Sequence, residues 1–361
     1  MAFRSFAPAQ VAGGRRGAAK RMALAAAIAA LALAAAGPAL QEKREPAALP
    51  ANPEWIGGPQ LLAPFDRDGD HYYSVKDPSV VQYAGRWHVF CTVRGQKRSH
   101  QIEYISFADW AGTAKPERVM LRLTDGYFCA PQVFYFRPHR KWYLIYQVIE
   151  KSREPALQPA WSSTDRISDA ASWTSPKLLF PEHPKSVKMW IDFWVICDDR
   201  KAHLFFTSLD GKMWRSETRL EDFPAGWSEP QVVLEGDIYE ASHTYRLKDC
   251  ADYLTIVEAQ APGGRRYYKA YVAGRLDGQW SPLAASAEQP FAAPGNVRFE
   301  GERWSDSFSH GELIRDGYDE TLTVGPAALQ FLFQGVRDSD RQGKVYGEIP
   351  WRLGLLKLVV R

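Results

Sequence analysis

Apolar and polar positions along the chain fall into short runs, and one arrangement of runs recurs five times. Each copy opens on a polar residue, passes through a short apolar strand, turns, and returns in an aromatic-rich strand. Residues 76–80 lead to 86–90, 130–134 to 141–145, 191–195 to 202–206, and 239–243 to 252–256; 309–313 lead by a longer route to 329–333. Third strands read at 100–105, 211–216 and 266–271. Trp173-Thr174-Ser175-Pro176, Trp227-Ser228-Glu229-Pro230 and Trp280-Ser281-Pro282 mark outer edges, where proline is tolerated because no ladder hydrogen bond is needed. Turn residues such as Asp210-Gly211 and Ala84-Gly85 separate the strands. Repeated four-stranded units predict an all-β fold, a five-bladed β-propeller. The terminal run 352–358 is one more strand, expected to close the ring by pairing near residues 56–64. Closure removes the open edges that a linear sheet would expose.

Helical apolar character is confined to the start of the chain. Arg15, Arg16, Lys20 and Arg21 precede an alanine-rich apolar run from Met22 to Ala36, followed by Gly37-Pro38-Ala39. A run of ~15 residues is shorter than the ~20 that span a bilayer, so residues 1–40 read as a secretory signal peptide cleaved near 36–40. Residues 41–54 read as a linker, and 55–361 as one propeller domain. The leader also carries the positive charge. The whole chain has a net charge of +3; past residue 45 there remain 38 basic and 40 acidic residues, a net of −2. That balance gives no footprint for nucleic acid, and none for a membrane once the leader is removed. A secreted monomer is expected. Aromatics make up 13% of the chain, with 13 Trp. They can fill wedges between blades or cover apolar sugar faces, and burial is the commoner use. Cys91, Cys129, Cys197 and Cys250 have no Cys-x-x-Cys spacing, which argues against a structural zinc site and leaves their pairing open.

Inner strands of a propeller converge on its axis, so residues that open them can converge on one pocket. Those openers include Asp77, Asp192, Glu240 and His310. The carboxylates are flanked by apolar or aromatic residues, and desolvation raises a carboxyl pKa whereas a nearby positive charge lowers it. Lys76 precedes Asp77; in a regular extended strand the two side chains point to opposite faces and need not pair. Paired carboxylates with separated pKa values suit glycosidic bond hydrolysis, one as proton donor and the other as base or nucleophile. A metal site or a sugar-binding propeller without activity would use the same residue types.

These residues resemble glycoside hydrolase family 62, the arabinoxylan α-L-arabinofuranosidases. The resemblance runs through residues 74–80, 130–138, 191–199, 204–211, 239–243, 309–315 and 346–356. It implies a five-bladed propeller and an inverting mechanism. Asp77 would be the general base, Glu240 the general acid, and Asp192 the residue that tunes and holds the acid. Lys76, Tyr346 and Arg352 would contact substrate. His310 would help bind a structural calcium ion whose shell is completed by water. The partner implied is arabinoxylan or an arabinoxylo-oligosaccharide. Two departures bear on the cleft: Gly347 stands where many members carry Asn, and Val148 where some carry Trp. A family 43 arabinanase or xylosidase, which shares the Asp-Asp-Glu arrangement, is the nearest rival.

Overall fold

The computed structural model describes residues 49–114 and 116–359. The expected leader and residues 41–48 of the expected linker lie outside the described residues. The strands form five sheets of four or five strands. Blade 1 consists of Tyr72–Tyr83, Arg86–Gly95, His100–Phe107 and Glu117–Met120, from axis to rim. Blade 2 is Phe128–Phe136, Lys141–Ile149, Leu157–Thr164 and Lys177–Leu178. Blade 3 is Ile191–Cys197, Lys201–Thr207, Lys212–Arg219 and Gln231–Glu235. Blade 4 is Glu240–Leu247, Tyr253–Gln260, Arg266–Ala273 and Ser281–Ala284, with short Thr323–Val324 parallel to its inner strand. Each inner strand packs on the next, and the fifth, Ser307–Leu313, packs on the first. The five repeats of the sequence are thus the five blades.

Blade 5 is assembled from both ends of the described chain. After Ser307–Leu313 come Gln330–Val336 and Arg352–Leu358, and then Trp55–Leu62, which pairs antiparallel with the last of these. Trp55 faces Leu358 and Ile56 faces Lys357, the closure expected from the sequence. Val297–Phe299 adds a parallel strand outside Trp55–Leu62.

Burial explains the sequence texture. Inner and second strands are covered on both faces by neighbouring blades, so they read as near-continuous apolar runs rather than alternating ones. Phe193, Trp194, Val195 and Ile196 are all buried, as are Leu204, Phe205 and Phe206. The rim strand Glu117–Met120 alternates exposed and half-buried positions instead. Trp55, Trp142, Trp190, Trp194 and Trp351 are among the largest fully buried side chains, which settles their use as wedge filling. All four cysteines are free thiols, three of them buried.

Candidate active site

All five inner strands carry a bulge at the same height. A register shift against the second strand follows Lys76, Cys129, Ile191, Glu240 and Ser309, and each strand there holds one extra residue before pairing resumes. The residue after each of the first four positions adopts the left-handed region: Asp77 (φ 48°), Ala130 (51°), Asp192 (59°) and Ala241 (52°). Non-glycine residues enter this region seldom and at a cost, and bulges of this kind re-aim side chains beside active sites. Consecutive residues therefore reach the same pocket, as the lining pairs Lys76 and Asp77, and Ile191 and Asp192, show; in blade 4 the lining residues Tyr239 and Glu240 stand just before the bulge. The alternation expected of an extended strand, which would have turned Lys76 away from Asp77, is broken here by the bulge.

The pocket encloses about 300 Å³ and is completed by His100, Tyr127, Cys129, Gln147, Leu209, His310 and Tyr346. That is the small end of ligand pockets, room for one sugar unit rather than a stretch of polymer. No tryptophan is among its lining residues. The three candidate carboxylates, Lys76, Tyr346 and His310 meet here. Arg352 does not line the pocket; its guanidinium faces Asp340 at 3.6 Å.

Electrostatics divide the carboxylates. Burial acts to raise the Asp77 carboxyl, but Lys76 and His310 nearby, with a Thr92 hydrogen bond, hold it below the ordinary value. Gln334 Oε1 accepts from the Asp77 backbone N–H at 2.8 Å. Glu240 moves the other way. Burial, then the charges of Glu258 and Asp192, lift it well above the ordinary glutamate range, against Arg266 and Lys76. Asp192 is pushed up to about 6, first by burial, with Asp77 and Glu258 raising it and His310 opposing. Its Oδ2 accepts from the Ala241 N–H at 3.1 Å, fixing the backbone next to Glu240. Burial and Lys76 bring His100 down to about 3, so it is neutral at ordinary pH.

His310 Nδ1 lies 3.4 Å from Asp77 Oδ1 and 3.7 Å from Asp192 Oδ2, and its ring packs edge-on against His243. Among the described residues no group of three or more His, Cys, Asp or Glu side chains is arranged to hold a metal ion. Gln132, a neighbouring inner-strand polar residue, is spent on both backbone groups of Val195.

Several site residues escaped the sequence. Glu258 and Arg266 form a buried ion pair behind Glu240, and Gln147 and Gln334 hold backbone N–H groups at the bulges. The only trace was a charged or polar residue inside an apolar second strand, as in Val257-Glu258-Ala259. At the cleft, the Arg94 guanidinium lies beside Gly347, its Nε 3.4 Å from where a side chain would begin. Val148 is buried in the core of blades 1 and 2.

The model of glycosyl hydrolase family 62 matches residues 63–357. "Alpha-L-arabinofuranosidase C" of Cellvibrio japonicus is 37% identical over 317 residues, 86% of this chain; the chain spans 45% of that relative's length. The solved catalytic domain of a Coprinopsis cinerea GH62 α-L-arabinofuranosidase superposes with a TM-score of 0.81 at 36% identity, covering 86% of this chain and 98% of that one. A GH62 hydrolase solved with xylotriose superposes at 0.79 with 35% identity, covering 85% and 98%. A five-bladed propeller whose inner strands bring one depressed and two raised carboxyls into one pocket, and a family match across nearly all the described residues, place this chain in glycoside hydrolase family 62.

Proposed function

We propose that this protein is an inverting α-L-arabinofuranosidase that removes arabinofuranosyl side groups from arabinoxylan. The observation that carries the reading is the opposite displacement of two carboxyls in one pocket: Asp77 is held ionised and Glu240 is held protonated. In the proposed reaction Asp77 takes a proton from water as its oxygen attacks the anomeric carbon. Glu240 gives its proton to the xylose oxygen as the glycosidic bond breaks. Asp192 orients the acid through Ala241 N–H and adds negative charge that keeps it protonated. Lys76, whose ammonium lies 5.1 Å from the Tyr346 ring centre, fixes the base and lines the sugar pocket. A pocket for one sugar unit suits a side group rather than an internal backbone residue. A family member holds xylotriose, a piece of xylan backbone, which supports xylan as the polymer. Calcium at His310, with water completing its shell, would hold inner strands together, and the leader would direct export.

The test varies the leaving group. Glu240→Gln should lose most activity on arabinoxylan yet retain relatively more on an aryl arabinofuranoside, whose good leaving group needs no acid. Asp77→Asn should lose activity on both by about 10²–10⁴-fold, because water activation is common to both. NMR of the first-formed arabinose should show the β anomer. Retained α configuration, or full activity of Asp77→Asn, would overturn the assignment.

A further inference from the structure

The bulges are held by a ring of side chains that the reaction alone does not explain. Opposite the last regularly paired residue of each inner strand stands one second-strand residue: Thr92, Gln147, Thr207, Glu258 and Gln334. Four of the five reach across to the bulge N–H of the next blade. Thr92 accepts from Ala130 N at 2.8 Å, Gln147 from Asp192 N at 3.3 Å, Glu258 from His310 N at 2.8 Å, and Gln334 from Asp77 N at 2.8 Å. At the fifth, Asp192 takes the Ala241 N–H itself, and Thr207 Oγ1 is buried without a hydrogen-bond partner. A neutral glutamine does this work in blades 2 and 5. Only blade 4 uses an ionisable group.

Glu258 is fully buried, and a buried charge costs stability unless it is paired. Its partner is Arg266, whose Nη1 lies 2.9 Å from Glu258 Oε1 and 3.4 Å from Glu240 Oε1, with the guanidinium over the Tyr239 ring at 3.7 Å. Arg266 thus touches the proposed acid. Without a counter-charge it would favour the acid's ionised form, because an opposite charge within ~4–6 Å stabilises a carboxylate. We infer that Glu258 is a positioning residue for the reaction: it closes Arg266 into an ion pair, so that Glu240 meets the leaving oxygen with its proton in place. The inference rests on Glu240 being the acid. The other charged or titratable groups facing Glu240 are Asp192, Lys76 and Tyr346. Those facing Glu258 are Arg266, His310, Tyr268 and Asp192. Burial and then Glu258 are the largest influences lifting Glu240; burial also raises the Glu258 carboxyl, and Arg266 is the first influence that holds it down, in line with the ion pair.

Glu258→Gln separates charge from shape, since Gln occupies the equivalent position in two blades. It should fold, with an unchanged circular dichroism spectrum. The alkaline limb of kcat/KM should move down by about one pH unit or more. Activity on arabinoxylan should fall by about tenfold or more, and by less on an aryl arabinofuranoside with a good leaving group. Adding Arg266→Gln removes the uncompensated cation, so the double variant's limb should return toward the wild-type position. A Glu258→Gln enzyme with an unmoved limb and unchanged leaving-group ratio would overturn the inference. So would failure of that variant to fold, or a double variant whose limb lies lower still. Should Glu240→Gln itself show no leaving-group dependence, the acid assignment falls. If it shows one and Glu258→Gln moves nothing, only the role of Glu258 falls.

Discussion

In the blade that closes the ring, Trp304 packs closely against two glycines, Gly335 and Gly354. Trp304 stacks on Phe333 with ring centres 5.3 Å apart, meets Phe299 edge-on at 6.0 Å, and donates from Nε1 to Gly58 O at 3.0 Å. A Cβ added at Gly354 would overlap Trp304 Cζ2 and lie 2.9 Å from Cη2; one added at Gly335 would lie 2.8 Å from Cζ3. Gly354→Ala must therefore displace a ring held from several sides. Overpacking of a core typically costs about 1–3 kcal/mol. Losing the indole hydrogen bond to Gly58 adds about 1 kcal/mol. The expected loss is roughly 2–4 kcal/mol, and at roughly 2 °C per kcal/mol for a domain of this size, roughly 4–8 °C in Tm. Urea denaturation and calorimetry measure both quantities. Gly58→Ala is the control, because its Cβ would meet only Leu355 O at 3.8 Å. Turnover well below the transition should stay near wild type, since Trp304 does not line the pocket. A Gly354→Ala protein within about 0.5 kcal/mol of wild type, the spread of a typical surface change, would refute the claim that the ring is pinned.

The pH profile follows from the carboxyl environments. In the proposed reaction Asp77 must be ionised and is held low, so rate is gained as pH rises through that depressed value; Glu240 must be protonated and is held high, so rate is lost as pH rises through that raised value. The bell for kcat/KM should be wider than ordinary carboxyls near 3.9 and 4.3 would give, and an alkaline limb below about pH 5 would contradict the assignment. Exhaustive chelation should lower Tm if calcium sits at His310, because a ligand of the native state stabilises it; unchanged melting and activity would remove the ion from the account. Mass spectrometry of exported protein should find a new terminus near residues 36–40, and an intact Met1 would count against cleavage.

The residues themselves determined the repeat, the number of blades and the partners in ring closure. They did so because strands covered on both faces must be apolar along their length, and such runs recur once per blade. They also marked Asp77, Asp192, Glu240 and His310, whose polarity within apolar strands has no use in packing alone. What they could not convey was direction. The bulge that turns Lys76 and Asp77 into the same pocket is a backbone conformation with φ of 48° at Asp77, and no residue type along the strand demands it. Arg352 carries the same ambiguity: at the head of its strand it could have faced the pocket, and only the fold turns it to Asp340. Glu258 and Arg266 are 18 and 26 residues beyond Glu240. They come to stand behind it because antiparallel pairing sets Glu258 opposite Glu240 and the next strand begins at Arg266. Which side chains gather in the pocket was therefore legible from the repeat. Which charges surround them, and so which carboxyl keeps its proton, was decided by tertiary structure, because the pKa of a buried group depends on neighbours brought together across strands.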